Sequence, residues 1–330
     1  MEETKMKKSI SLGLAVLVCS VLASIAIGHA DDAYPTRPIH VIVGFAPGGP
    51  SDIISRVVSA KMSEIMGVQF VVENRTGAGG TLAIQDVMRS APDGYMLLNT
   101  PLANVANQFM SKDIKFEYGK DLIAVCPQAE TANILVVSPT LGVKSVADLV
   151  KLAKEKPGYL QYATAGRGSA THLTSELFNM AAGIQTVPVH YRGGGDTIKD
   201  LLSGEVKMMF SSIAPVQDYV KEGKLIGLAT TGPQRDPAFP QLPTIAESGY
   251  PGFDVRLWIG MTAPAGTPKA IIDKLADAND KALKSPEIQK ALAAQGFRPM
   301  FGSAADFDAF YRSELVKWGK VIKESGLDKD

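Results

Sequence analysis

Two short stretches carry residue types that could hold an anion without a metal or a cofactor. The first is Phe45-Ala46-Pro47-Gly48-Gly49-Pro50-Ser51-Asp52. It follows the apolar run 39–45, which reads as a buried strand. It precedes apolar residues at Ile53, Ile54, Val57, Val58, Met62 and Ile65, which is helical spacing. The second is Ala165-Gly166-Arg167-Gly168-Ser169-Ala170-Thr171-His172, between the strand-like 159–164 and the helix-like 173–182. In a strand, glycine loop, helix sequence the unpaired N–H groups of the first helical turn converge at the loop, and the helix dipole adds partial positive charge. Such a turn binds anions without lysine or arginine. Two of them predict a clamp on a small carboxylate, the loops facing each other across a cleft.

The candidate ligand-binding residues are Ala46, Pro47, Gly48, Gly49 and Ser51 in the first loop, and Gly166, Arg167, Gly168, Ser169, Thr171 and His172 in the second. A glycine pair between strand and helix suits close ligand approach as well as a plain turn. Asp52 would repel a bound anion but suits a helix start, so it is expected as a structural cap turned back into the loop. Ser169 and Thr171 fit helix N-caps whose hydroxyls can also donate to a carboxylate. His172 fits a buried, hydrogen-bonded structural role beside a ligand role. Arg167 is a candidate for bidentate carboxylate binding. Arg192, in Tyr191-Arg192-Gly193-Gly194-Gly195, is comparable, and Ser211 ends a strand at the same rim. Either arginine on the ligand would imply a second carboxylate, hence a dicarboxylic or aromatic acid.

Enzyme signatures are weak. Gly166-Arg167-Gly168 begins a dinucleotide fingerprint, but Thr171 stands at the third glycine position. No Gly-x-Ser-x-Gly elbow surrounds Ser169, and neither loop ends in Gly-Lys-Ser/Thr. The four histidines lack metal-ligand spacing. No catalytic residue, cofactor or metal is expected; an exported hydrolase would need Ser169, His172 and an acid to converge.

Lys+Arg and Asp+Glu are equal at 34 each, and no basic run follows the N-terminus, which argues against nucleic-acid or acidic-membrane partners. Lys5, Lys7 and Lys8, the apolar run 10–27 and Gly28-His29-Ala30 form a cleavable export signal over residues 1–30, with Met1 or Met6 as the start. The predicted location is the periplasm. Cleavage after Ala30 leaves a formal charge of about −1 and one cysteine, Cys126, which reads as a buried core thiol.

From Tyr34 onward strands and helices alternate, implying parallel crossover units and an α/β fold. Near 121–138 two apolar runs joined by the polar 128–133 read as a segment crossing between lobes. A second α/β set follows, then a proline-rich stretch after Thr231 with no clear regular element, then a returning extended segment near 253–262. Ser145-Val146-Ala147-Asp148 and Ser303-Ala304-Ala305-Asp306 are capping-box-like helix starts. The expected division is 31–131 with 257–330 in lobe 1 and 132–256 in lobe 2, joined by two crossing segments with the ligand cleft between them.

Tyr34-Pro35-x-Arg37-Pro38-Ile39 and Val43-x-Phe45-Ala46-Pro47-Gly48-Gly49-x-x-Asp52 resemble the opening of the Bug-type periplasmic binding proteins, the solute receptors of tripartite tricarboxylate transporters. The resemblance continues through Val72-Glu73-Asn74-Arg75-x-Gly77-Ala78-Gly79-Gly80, Pro92-Asp93-Gly94-Tyr95, Gly168-Ser169-x-x-His172-Leu173 and Trp258-x-Gly260-x-x-Ala263-Pro264. It implies a type II periplasmic binding protein that closes two α/β lobes over an organic acid and hands it, as a monomer, to membrane permease subunits. It also implies that the loops at 46–52 and 166–172 hold a carboxylate with backbone amides, hydroxyls and ordered waters. Arg167 stands where a small or hydroxylic residue is expected, and Arg192 where lysine is common. A sensory partner of a membrane kinase is the alternative role.

Overall fold

The computed structural model describes residues 34–110, 116–191 and 194–328 of the 330. The export-signal segment and Arg192 lie outside these described residues.

Lobe 1 begins with β1 (Ile39–Val43), α1 (Pro50–Met66), β2 (Phe70–Asn74), α2 (Thr81–Met88), β3 (Met96–Pro101) and α3 (Leu102–Met110). β1 is apolar at four of five positions and almost wholly buried, as a parallel strand covered on both faces must be. α1 starts with Pro50 in its first turn and ends at Gly67, whose N–H returns to the Ser63 carbonyl. β4 (Leu122–Val137) then runs without a break from lobe 1 into lobe 2. Lobe 2 holds α4 (Val146–Glu155), β5 (Gln161–Thr164), α5 (Ala170–Ala182), β6 (Val187–His190), α6 (Gly194–Ser203), β7 (Met208–Ser212), α7 (Gln217–Lys221) and β8 (Ile226–Thr230). The chain returns through β9 (Arg256–Pro264), α8 (Lys269–Leu283), α9 (Pro286–Ala294), β10 (Arg298–Pro299) and α10 (Ala304–Glu324).

The sheet order is β2-β1-β3-β9-β4-β7-β5-β6, with β8 and β10 also on β4. The pairing directions decide where loops can meet. β1 is parallel to β3, β3 antiparallel to β9, and β9 antiparallel to β4. So the C-terminal ends of β1 and β3 point the way β4 runs, toward lobe 2. In lobe 2, β7 is antiparallel to β4 while β5 and β6 run parallel to β7 and to each other. Their C-terminal ends therefore point back at lobe 1. The loops after β1 and β5 stand on facing edges.

Thr231 ties the two crossing segments together. Its N–H donates to the Asn133 carbonyl at 2.9 Å, its hydroxyl accepts from the Asn133 N–H at 2.8 Å, and that hydroxyl donates to the Val255 carbonyl at 2.6 Å.

α10 packs against both lobes alongside the two crossing segments. Its first turns pack Phe307 against Trp258 of β9, with ring centroids 5.6 Å apart. Its last turns share a core with Phe178, Ala182 and Ile184 of lobe 2. At 21 residues the helix is about 30 Å long, enough to lie across both lobes. The midpoint is fixed by Glu314, 2 % exposed, whose Oε2 accepts from the indole N–H of both Trp258 and Trp318 at 2.9 Å. Lys317 pairs with the same carboxylate and also donates to the Asp254 carbonyl at 2.8 Å.

Candidate anion-binding cleft

The first loop is built from the strand end upward. Gly44 passes so close to the turn at Ala78–Gly80 that a Cβ on it would lie 2.8 Å from the Gly80 Cα. Asn74, at the end of β2, donates to the Phe45 carbonyl at 3.0 Å and to Asp52 Oδ1 at 2.9 Å. Asp52 is buried and turned back: Oδ2 accepts from the Gly48 N–H and Oδ1 from Arg56 Nε, both at 2.9 Å. Burial pushes the Asp52 carboxyl up, but the bonds from Arg56, Gly48 and Asn74 outweigh it and hold the group below the usual carboxylate range.

Which amides remain for a ligand follows from counting acceptors. Gly48 donates to Asp52, and Gly49 donates to the Ala46 carbonyl at 3.3 Å. Pro50 has no N–H, and the Ile53 N–H closes the first helical bond to Gly49. The open donors at the helix start are therefore the first-turn amides of Ser51 and Asp52, which, like the Ala46 N–H before them, have no acceptor among the described residues.

The second loop repeats the pattern with different partners. Ala165 donates to Thr171 Oγ1 at 3.1 Å, Gly166 to Thr164 Oγ1 at 3.0 Å, Gly168 to His172 Nδ1 at 3.0 Å, and Ser169 to the Gly166 carbonyl at 3.1 Å. Ser169 caps α5, its hydroxyl accepting from the His172 N–H at 3.3 Å and standing 3.0 Å from Thr171 Oγ1. The first-turn N–H groups of Ala170 and Thr171 have no acceptor among the described residues. In both loops the glycine amides are taken up in shaping the turn, and the helical amides just beyond are left without acceptors among the described residues. The N–H groups of Gly48, Gly49, Gly166 and Gly168 are thus taken up within the loops, which leaves these glycines the role of a turn or of close approach.

His172 is 3 % exposed and carries the second loop from beneath. Since Nδ1 accepts from Gly168, the ring proton belongs on Nε2, which faces Glu176 at 3.9 Å. Burial, then the neighbouring His190 and Arg167, lower its pKa to about 4. It is a positioning group, with its acceptor nitrogen already in use. Because the unfolded group titrates near 6.5, the unfolded chain binds more protons between pH 6.5 and 4. Stability from this residue is complete above pH 6.5 and is lost as pH falls through about 4, by about 3 kcal/mol over the window. Urea unfolding of His172→Gln across that range is expected to show a shallower fall than the parent protein; an equal or steeper fall contradicts the assignment.

Arg167 extends from the second loop toward the end of α10. Its Nη2 reaches the Leu327 carbonyl beyond the C-terminal end of α10 at 3.4 Å, where the helix dipole favours a cation. Gly168 beside it, at φ +70°, would place a Cβ 2.4 Å from Met110 Cε, so the second loop abuts the end of α3. Ser211 is buried on β7 opposite Ile134. Ser169 and His172 lie together, but their contact is the N-cap bond, with Nδ1 turned to Gly168. That geometry gives Ser169 no general base. Cys126 is a buried free thiol whose pKa burial pushes up.

Sequence reasoning missed α3 and three carboxamides near it. Asn99, at the end of β3 and opposite Val43 of β1, is fully buried with both amide atoms unpartnered among the described residues. Asn104 Oδ1 and Gln108 Oε1 on α3 are likewise buried and unpartnered. A separate inter-lobe cavity of ≈ 440 Å³ beside β10 is lined by Glu130, Thr131, Ile213 and Arg298 among others, and by none of the predicted site residues.

Two α/β lobes on crossing strands, with helix N-termini on facing edges, define the type II periplasmic binding proteins. The family model described as tripartite tricarboxylate transporter family receptor matches residues 54–327, and the chain belongs to that family. Protein BugT of Bordetella pertussis is 34% identical over 308 residues, covering 92% of this chain and 94% of its own. Among solved structures, Rpa4515 of R. palustris with adipate is 32% identical at a TM-score of 0.72, covering 89% of this chain and 98% of that one. MatC of Rhodopseudomonas palustris with bound malate is 29% identical at a TM-score of 0.70, covering 88% and 100%.

Proposed function

We propose that this receptor is exported, binds a small di- or tricarboxylate between its lobes, and delivers it as a monomer to the membrane permease of a tripartite tricarboxylate transporter. The observation that carries the reading is the two pairs of open first-turn amides on facing edges, Ser51 and Asp52 on α1, Ala170 and Thr171 on α5. A carboxylate bridging them is stabilised by two helix N-termini at once, and only when the lobes are closed. Its higher affinity for the closed form then shifts the population toward closure, which gives a permease a shape to recognise. The adipate and malate found in the two R. palustris relatives support an acid of that size. The lysines, apolar run and small-residue end of 1–30 support export, and none of the described helices is long and apolar enough to cross a membrane.

A thermal-shift screen of di- and tricarboxylates, amino acids and aromatic acids tests this. A saturating cognate acid raises the unfolding free energy by about 2.7 kcal/mol at a hundred times its Kd. A screen in which amino acids or neutral solutes shift the transition and no carboxylate does would overturn the reading.

A further inference from the structure

α3 reaches the 78–80 turn that packs on the first loop and, at its other end, the second loop itself. Asn107 Nδ2 donates to the Gly79 carbonyl at 2.5 Å, beside the first loop, and Met110 at its other end meets Gly168 of the second. Asn104 and Gln108 are four residues apart and so share one face of this helix. Asn104 is 2 % exposed, and its Oδ1 lies 3.4 Å from where a Cβ on Gly80 would stand, as does the ring of Phe45. Neither Asn104 Oδ1 nor Gln108 Oε1 has a hydrogen-bond partner among the described residues, and Asn99 at the strand end before them has none for either amide atom. A buried amide left unpaired is costly, and chains keep such groups where function requires them.

We infer that Asn104 and Gln108 are specificity-determining residues that hydrogen-bond a hydroxyl carried by the organic acid. The inference rests on the carboxylate-receptor reading and deepens it: the ligand class becomes hydroxylated di- or tricarboxylates. A hydroxyl both donates and accepts, so it meets a carboxamide in either orientation of the amide. With the amides oriented as they stand, a second carboxylate, which only accepts, would face the buried amide oxygens unfavourably. A plain methylene chain would leave the carboxamides unpaired.

Calorimetry with matched acids tests it: malate against succinate, and citrate against its deoxy analogue tricarballylate. The parent protein is expected to bind at least one hydroxylated acid about tenfold more tightly than its deoxy partner. Asn104→Leu and Gln108→Leu are each expected to bring that ratio to within about twofold, without weakening the deoxy acid and with an equal or higher Tm, since an apolar side chain removes the unpaired amide. A purely structural role would instead lower Tm and leave the ratio unchanged, which overturns the inference. Binding of the deoxy acids with no hydroxyl preference in the parent protein overturns it while leaving the carboxylate reading intact. Binding of none of the four acids overturns this inference, and the carboxylate reading falls only if no acid in the wider screen binds.

Discussion

Glu314→Ala is expected to destabilise the protein by about 3–5 kcal/mol, among the largest effects a single substitution produces. The carboxylate is 2 % exposed and accepts from two indole N–H groups, and the change would leave both unpaired and the Lys317 ammonium without its partner. It would also loosen the midpoint of α10, which rests on both lobes. Trp258 and Trp318 are the two tryptophans of the sequence, so emission reports on this joint with no other contribution. Urea unfolding followed by tryptophan fluorescence should show the midpoint lowered and the native spectrum changed. Glu314→Gln, which retains an acceptor oxygen, should fall between. A loss below about 1 kcal/mol for Glu314→Ala would show that the carboxylate is not the joint described.

Gly168→Val should lower ligand affinity by about a hundredfold or more while costing about 2 kcal/mol of stability. Two effects combine at this position. The backbone stands at φ +70°, which a β-branched residue resists, and the new Cβ would meet Met110 Cε at 2.4 Å. The Gly168 N–H holds His172, whose backbone N–H is in turn capped by Ser169, so a shift here displaces the first turn of α5 and its open amides. Met110→Ala in the same chain would relieve the contact but not the backbone strain, so affinity should return only in part. Full recovery in the double variant would place the effect on the contact alone. Wild-type affinity in Gly168→Val, measured by calorimetry, would remove this loop from the site.

The strand–loop–helix of the first loop was legible because a continuous apolar run, a Gly-Gly-Pro break and a 3.6-residue period follow one another without ambiguity. The caps at Ser145 and Ser303 were legible too, and both side chains accept from the N–H three residues on. β4 was harder. Gln128–Asn133 are polar, and polarity normally marks exposure; here Gln128, Glu130, Thr131 and Asn133 are buried. Glu130 lies between Arg256 and Arg298, and Asn133 is tied to Thr231, partners distant in sequence that no local pattern reveals. α3 escaped notice because it follows Pro101 with no intervening loop or capping residue and carries three amide side chains among its apolar ones. The signal that could have found it is Asn104 and Gln108 one turn apart beside Leu102, Val105 and Ala106. The bridging role of α10 could have been read from its length. The destination of Arg167 could not, since its partner Leu327 lies 160 residues away.

The claim on which the account turns is that first-turn amides, not glycine amides, grip the ligand. Ala170→Pro isolates it. Position 170 opens α5, where proline is well accommodated, and Ser169 before it already has the extended backbone proline requires, at φ −62° and ψ 158°. The substitution therefore deletes one open N–H and little else. Calorimetry with the acid found in the screen should give an affinity reduced about tenfold or more, with Tm unchanged or slightly raised. Unchanged affinity in a variant that folds normally would contradict the account.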